Sequence, residues 1–264
     1  MNTPSYDALL RRETQIRAIQ ELYETVSKYE KEIPQKDAEI KSANTEIYNL
    51  KKAVGNLGGD VTYDIPNALG TSFNTLMGNN GTVRLTGDLS TGRYGPGMMA
   101  NNKVTLNLNN HNLTINVTGT TAAVQARGTQ EITIKGKGVI DAGSGIAIMA
   151  NGKDAVINLT GTTTVYQTNR PGAELIYCYT GTINISGGTF KNNASNYLLN
   201  CYDANYRNGT AKIIVTGGKF YDFDPANNIA EGEGTSFLAS GYKSTASTVV
   251  EEGVEHTVYT VSKI

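Results

Sequence analysis

The chain has 264 residues, 29 of them Gly and 15 Tyr, with a formal net charge of -1 and an isoelectric point near 6.2. Near-neutrality excludes the basic field that draws nucleic acid or an anionic membrane surface. No run approaches the roughly 18 apolar residues of a membrane span, and the opening MNTPSYDALLRRETQ lacks the apolar core of a signal peptide. The expectation is therefore a chain that neither takes that export route nor enters the bilayer.

From about Leu9 to Leu57 the sequence is charged, almost free of Gly, and rich in Glu, Lys, Ile and Tyr. Ile19, Val26, Ile33, Ile40, Ile47 and Val54 fall at seven-residue intervals. Three positions after each come Leu22, Tyr29, Lys36, Ala43, Leu50 and Leu57. This heptad seam predicts a coiled coil, and residues 1–57 are assigned to a coiled-coil stem. At about 1.5 Å per residue, roughly 50 residues would make a helix near 75 Å long, more than a body of this size covers, so the seam points to self-association. Pro34 removes one helical hydrogen bond and predicts a kink, since the heptad phase continues across it. Lys36 and Ala43 weaken the middle of the seam. Its β-branched first positions leave dimer and trimer both open.

Paired glycines in GNLGGD (Gly55 to Asp60) predict a helix stop and hinge. In the following IPNALGTSFNTLMGNNG, the residues Leu69, Phe73, Leu76 and Met77 would share one helical face. Residues 58–80 are thus read as a hinge and a helix that covers the open end of the next domain.

That domain is marked by a repeat. GTINISGGTF (Gly181 to Phe190) recurs as VTLNLNNHNLTI, EITIKGKGVI, AVINLTGTTTV and KIIVTGGKF, whose last apolar residues are Ile115, Ile140, Val165 and Phe220. Each copy alternates apolar and polar residues, bends at a small or Gly-containing segment, and resumes. Period-2 alternation means strand, and recurrence at 20 to 50 residues means a solenoid whose coils bury their inner faces by stacking. Residues 81–224 are assigned to a right-handed parallel β-helix. LSTGRYGPGMMANN (Leu89 to Asn102) is expected to protrude as a loop and DANYRNG (Asp203 to Gly209) to be an inserted loop. Residues 225–264 read as a C-terminal β cap with two short strands around Glu251 to Gly253.

Cys178 and Cys201 lie in LIYCY and LLNCY, which align residue for residue, so the two thiols should stack on adjacent coils. They are expected to be free, as small buried hydrophobes. Tyr179 aligns with Tyr202 in the same way, and tyrosines concentrate in the later coils. Tyr177, Tyr179 and Tyr202 are the candidates for a subunit interface or for a glycan-facing surface. No catalytic, cofactor or metal residues are assigned. Of the candidate carboxylates Asp88, Glu131, Asp141, Asp154, Glu174, Asp203, Asp222 and Asp224, most lie singly in turn positions; Asp222 and Asp224 would share a strand face but are too few for calcium. His111 sits in a bend far in sequence from His256. Neither a phosphate loop nor a nucleophile elbow is present.

A helical stem, a glycine hinge, a capped β-helix and a terminal cap form a plan that resembles bacteriophage fibres and tailspikes. GGKFYDFDPANNIAEGEGTSFLASGYKS (Gly217 to Ser244) resembles the ending of β-helical structural proteins of phages that infect gut Bacteroidales, crAss-like phages among them. VTLNLNNHNLTI is similar to a coil of the wider pectate-lyase-like class. KGKGVIDAGSG, around Asp141, resembles a structural coil of polygalacturonase-type glycosidases whose catalytic motifs this chain lacks. The resemblance implies a homotrimeric, non-enzymatic virion appendage. Its stem would meet capsid or another virion protein, while its β-helix faces outward toward a host surface glycan. The small body favours a head fibre on the capsid over a tail fibre or depolymerising tailspike. A bacterial adhesin is the third reading.

Overall fold

The computed structural model describes residues 5–97, 100–168, 174–192 and 197–264. The chain divides into two compact units, with the boundary between Leu50 and Lys51.

Helix α1, Tyr6–Asn56, runs without interruption through Pro34. The proline leaves the Glu30 carbonyl without its helical donor, and Glu30 is exposed, so water can satisfy it. The last turn of α1 belongs to the second unit. There Lys51 Nζ donates to the Thr62 carbonyl at 2.7 Å, and Gly59 passes so close to Val54 that a Cβ would clash with it.

The second unit is a parallel β-solenoid of about four turns. In chain order its elements are β1 Thr62–Ile65, α2 Phe73–Met77, β2 Gly81–Leu85, β3 Leu89–Ser90, β4 Lys103–Asn107, β5 Leu113–Val117 and β6 Ala122–Arg127. Then follow β7 Glu131–Lys135, β8 Gly138–Gly143, β9 Ile146–Leu159, β10 Thr163–Gln167, β11 Ile176–Asn192 and β12 Leu199–Cys201. The chain ends with α3 Asp203–Arg207, β13 Ala211–Tyr221, β14 Tyr242–Glu251 and β15 Val254–Lys263.

Three faces result, each held by a ladder of inward side chains. On the first, Val83, Leu106, Ile134, Leu159, Ile185 and Val215 stack in register. On the second the ladder is Leu113, Ile140, Val165, Phe190 and Phe220, and it ends in two stacked rings 5.0 Å apart. On the third, Val124, Ile148, Ile176 and Leu199 stack. All these residues are buried, as the alternation requires. The 25-residue spacing holds from Ile140 through Val165 to Phe190, but Ile140 pairs with Leu113 and not with Ile115, because this coil is longer and its preceding strand already sets Leu106 against Ile134.

Glycines make the corners. In GTINISGGTF, Gly188 has φ +101°, and a Cβ on Gly187 would stand 2.5 Å from the Gly161 carbonyl oxygen. Only glycine fits where one coil passes over the last.

Four expectations change. Parallel stacking starts before residue 81, since β1 pairs in register with β2. The covering helix is one short turn capped by Ser72 that buries Phe73, Leu76 and Met77, whereas Leu69 lies in the preceding turn. The segment 89–102 does not simply protrude: Leu89–Ser90 pairs with β5 and Tyr94 bridges to Val124. Residues 98 and 99 of that segment lie outside the described residues. DANYRNG is largely helical, as α3.

Tyr94 explains the third change. Its ring is 2 % exposed, and its hydroxyl donates to the Met77 carbonyl at 3.0 Å. It also accepts from Gln130 Nε2, which donates to Asn102 Oδ1 at 2.8 Å as well. A buried polar group is held where its partners are, so this network draws the segment onto the first coil.

At the other end, residues 225–241 cover the last coil through Phe237, whose carbonyl accepts from Val215 N. β14 and β15 form an antiparallel hairpin with a two-residue loop, Glu252 and Gly253. Both have positive φ, the geometry of a type I′ turn. Each strand is ten residues long, longer than expected, and β15 pairs antiparallel with β13.

Candidate functional site

Three places on the chain carry the features that function could use. The first is the heptad seam. All its residues but Leu57 lie on α1, and the nine large apolar ones among them are exposed in the single chain, from 45 % for Val26 to 66 % for Ile19. Leu22, Tyr29, Ile33, Ile40, Ile47, Leu50 and Val54 fall between those limits. A helix whose apolar stripe is uncovered loses the packing that normally stabilises it.

The second place is the third face of the solenoid. Cys178 and Cys201 are paired in register, and both are buried free thiols. They continue an inward row begun by Ala126 and Ala150, a row of small side chains. Cys178 Sγ donates to the Gly181 carbonyl at 3.4 Å. The hydrogen bond with Cys178 and burial push the Cys201 thiol up. The Glu231 carboxyl, which accepts from Cys201 N, is itself pushed up by burial. Reactive cysteines need exposure and thiolate character. Native protein at pH 8 is therefore expected to incorporate no iodoacetamide within an hour and two equivalents in denaturant, counted by mass spectrometry.

One residue on, side chains point outward. Tyr179 and Tyr202 stack with ring centroids 4.8 Å apart and are 40 % and 42 % exposed. Tyr177 differs: it is half-buried, packs on Ala122, Ile146 and Met149, and burial pushes its hydroxyl up to about 12. Tyr177 is thus less accessible than the stacked pair. Tyr179 and Tyr177 line a cleft of about 380 Å³ together with Arg93, Arg127 and Glu174.

The third place was not visible as a site in the sequence. A groove of about 620 Å³ runs between the second face and the C-terminal hairpin, lined by Thr164, Tyr166, Lys191, Tyr221, Asp222, Glu251, Glu252 and His256 among others. Its floor includes Tyr166 and Lys191, neighbours on the ladder one residue past the buried row. Its wall is pinned by charge. Glu251 accepts from the Tyr221 hydroxyl at 2.6 Å and from Lys191 Nζ at 3.0 Å, and the same ammonium sits 5.1 Å from the centre of the Tyr221 ring. Asp222, at φ 55°, accepts from Thr257 N at 2.9 Å and pairs with His256 Nδ1 at 2.7 Å.

Asp222 and Asp224 therefore part company. The strand ends at Tyr221, so the period-2 argument that put both carboxylates on one side fails. Asp222 faces the hairpin, while Asp224 accepts from Ala226 N at 2.9 Å and forms a turn. Asp141, expected in a turn, instead lies within β8, and its carboxylate accepts from Gly143 N and the Thr168 hydroxyl. His111 stands 3.7 Å from Asp88, away from His256. Among the described residues no group of three His, Cys, Asp or Glu side chains gathers to hold a metal, and no helix is long and apolar enough to cross a membrane.

No protein family model, curated protein or solved structure matches the chain.

The hydrogen bonds from Tyr221 and then Lys191 hold the Glu251 carboxyl below its usual range, and Tyr221 is pushed up to about 12 by its bond to Glu251. A carboxyl with a depressed folded pKa stabilises the fold above its unfolded value, near 4.5, and that contribution is lost as pH falls through the folded value. Hydrogen exchange in β15 is thus expected to quicken below about pH 4, where carboxylates are protonated. Glu251→Gln should show the faster exchange already at pH 7 and flatten the dependence. An unchanged acid profile in the variant would refute the assignment.

Proposed function

We propose that this chain is a non-enzymatic structural protein of a bacteriophage particle, a homotrimeric head fibre. Three α1 helices zip through the Ile/Val seam, and the stem meets capsid or another virion protein. The solenoids project outward and offer repeated weak contacts to a host surface glycan, which trivalency turns into avidity. The exposed seam is the observation that carries this reading. Six heptads of apolar side chains left in water have a ready occupant in further copies of the same helix. The likeness of residues 217–244 to the endings of phage β-helical structural proteins supplies the setting.

The groove supports the non-enzymatic reading. Glycosidases need one carboxyl to protonate and another to attack or activate water. Asp222 and Glu251 instead use hydrogen bonds to tie the hairpin to the solenoid.

Electron microscopy of intact particles labelled with gold-conjugated antibody to the solenoid tests the location. Label spread over the capsid is expected. Label confined to the tail, or release of reducing ends from host capsule polysaccharide by the purified chain, would replace this reading with the tailspike one.

A further inference from the structure

We propose that the groove between the second face and the C-terminal hairpin is a binding site for a neutral oligosaccharide. Its size lies within the ~300–1,000 Å³ of small-molecule sites, at about 620 Å³. Its chemistry is that of adjacent donors and acceptors. Lys191 Nζ and Glu251 Oε2 stand 3.0 Å apart, an ammonium beside a carboxylate. Each keeps hydrogen-bonding capacity beyond the bond they share. The Asp222 and His256 pair repeats the pattern. A carboxylate only accepts, so Nδ1 donates to it, and Nε2 remains as the ring's second polar atom. Thr164 adds a hydroxyl and Glu252 an exposed carboxylate. Vicinal sugar hydroxyls each donate and accept, and alternating groups at hydrogen-bond spacing satisfy them in pairs.

Charge narrows the class. Three carboxylates, Asp222, Glu251 and Glu252, line the groove with one lysine and one histidine, so uronic acids, phosphates and sulfates are repelled. A metal ion would need more oxygen ligands than gather there. A peptide lying in the groove would find neither a deep apolar pocket nor an open strand edge on its floor, whose strands are paired on both sides through β8, β10, β11 and β13. Tyr166, in the floor beside Lys191, gives the C–H face of a pyranose an aromatic neighbour.

The site is also rigid before anything binds. Its floor is solenoid sheet, and its wall is held by the bonds of Glu251 to Tyr221 and Lys191 and of Asp222 to His256 and Thr257. Little ordering remains to oppose binding.

The groove is built within one chain, so this inference does not rest on the trimeric fibre and fails separately from it. The test is the full chain on an array of neutral hexose oligosaccharides beside matched uronate-containing ones. Any hit is then titrated in solution by saturation-transfer NMR. Binding to at least one neutral oligosaccharide is expected, with each of Thr164→Val and Glu252→Gln weakening it about tenfold or more. Neither residue pins the hairpin, and thermal unfolding confirms that both variants fold. Tyr179→Ala, on another face, should leave binding unchanged, as should Ile33→Asp with Ile40→Asp when affinity per site is measured. No neutral ligand, a preference for uronates, or binding that survives both groove substitutions would overturn the proposal.

Discussion

Replacing Ile33 and Ile40 together by Asp is expected to reduce the sedimentation mass from about three chains of 28.3 kDa to one. Both positions lie on the exposed apolar stripe of α1, at 58 % each. In a coiled coil every copy would bury two carboxylates against those of its neighbours, and the seam's one cation, Lys36, is already paired with Glu39 at 2.9 Å. The penalty for an uncompensated buried charge is several kcal/mol per ion, more than a handful of seam contacts return. Lys36 sits in the same seam and bonds outward to Glu39 at 2.9 Å, so Lys36→Leu should act oppositely and raise the melting temperature of the assembly. The charge pair should leave the β-solenoid folded, because the stacked ladders lie wholly within the second unit. A wild-type chain that sediments as a monomer at micromolar concentration would sink the self-association reading.

Truncation of Phe190 to Ala is expected to destabilise the solenoid by about 3–5 kcal/mol, the usual cost of removing a buried aromatic ring. Phe190 is 1 % exposed and Phe220 is 0 %, and their rings stack at an interplanar angle of 16°. The loss leaves a cavity between Val165 below and Phe220 above, which the rigid coils cannot close. At roughly 2–4 °C per kcal/mol for a domain of this size, the midpoint should fall by about 6–20 °C in circular dichroism. Phe190→Leu keeps most of the volume and should cost much less. A shift of under about 2 °C for the alanine variant would mean that the ladder does not carry the stability assigned to it.

The comparison of sequence with structure turns on where each kind of information resides. The repeat was legible because burial writes itself locally: Ile183 and Ile185 alternate with polar neighbours, and both are buried. The stacking of Cys178 on Cys201 and of Tyr179 on Tyr202 followed from alignment of two coils, since parallel strands in register superpose like positions. The register of the first coil did not follow so directly. A longer coil, already evident where Leu106 meets Ile134, sets Ile140 against Leu113 and not Ile115, and the length of a coil's bends is not encoded by periodicity. Tyr94 was hidden for a related reason. Its place is fixed by Met77, Asn102 and Gln130, and no spacing announces a buried polar network.

The groove was the largest omission. Lys191, Tyr221, Glu251 and His256 carry no motif, and nothing in the sequence links His256 to Asp222. They meet because β15 returns antiparallel beside β13, pairing Phe220 with Tyr259 and Tyr221 with Val258. A hairpin of two alternating strands predicts itself, and Glu252 and Gly253 supply its turn, but nothing within it names the strand it will join.

By itself, then, the sequence determined that a heptad-bearing helix precedes a stack of β coils, and which side chains of those coils turn inward. Both are consequences of period, 3.5 in the seam and 2 in the strands, and a period is a local property of the chain. Only the tertiary structure decided that Asp222 turns toward His256 while Asp224 closes a turn, and that Lys191 and Glu251 share a wall. Those contacts join residues far apart in the chain, and they exist because the last coil offered an unpaired strand edge that the C-terminal hairpin satisfies.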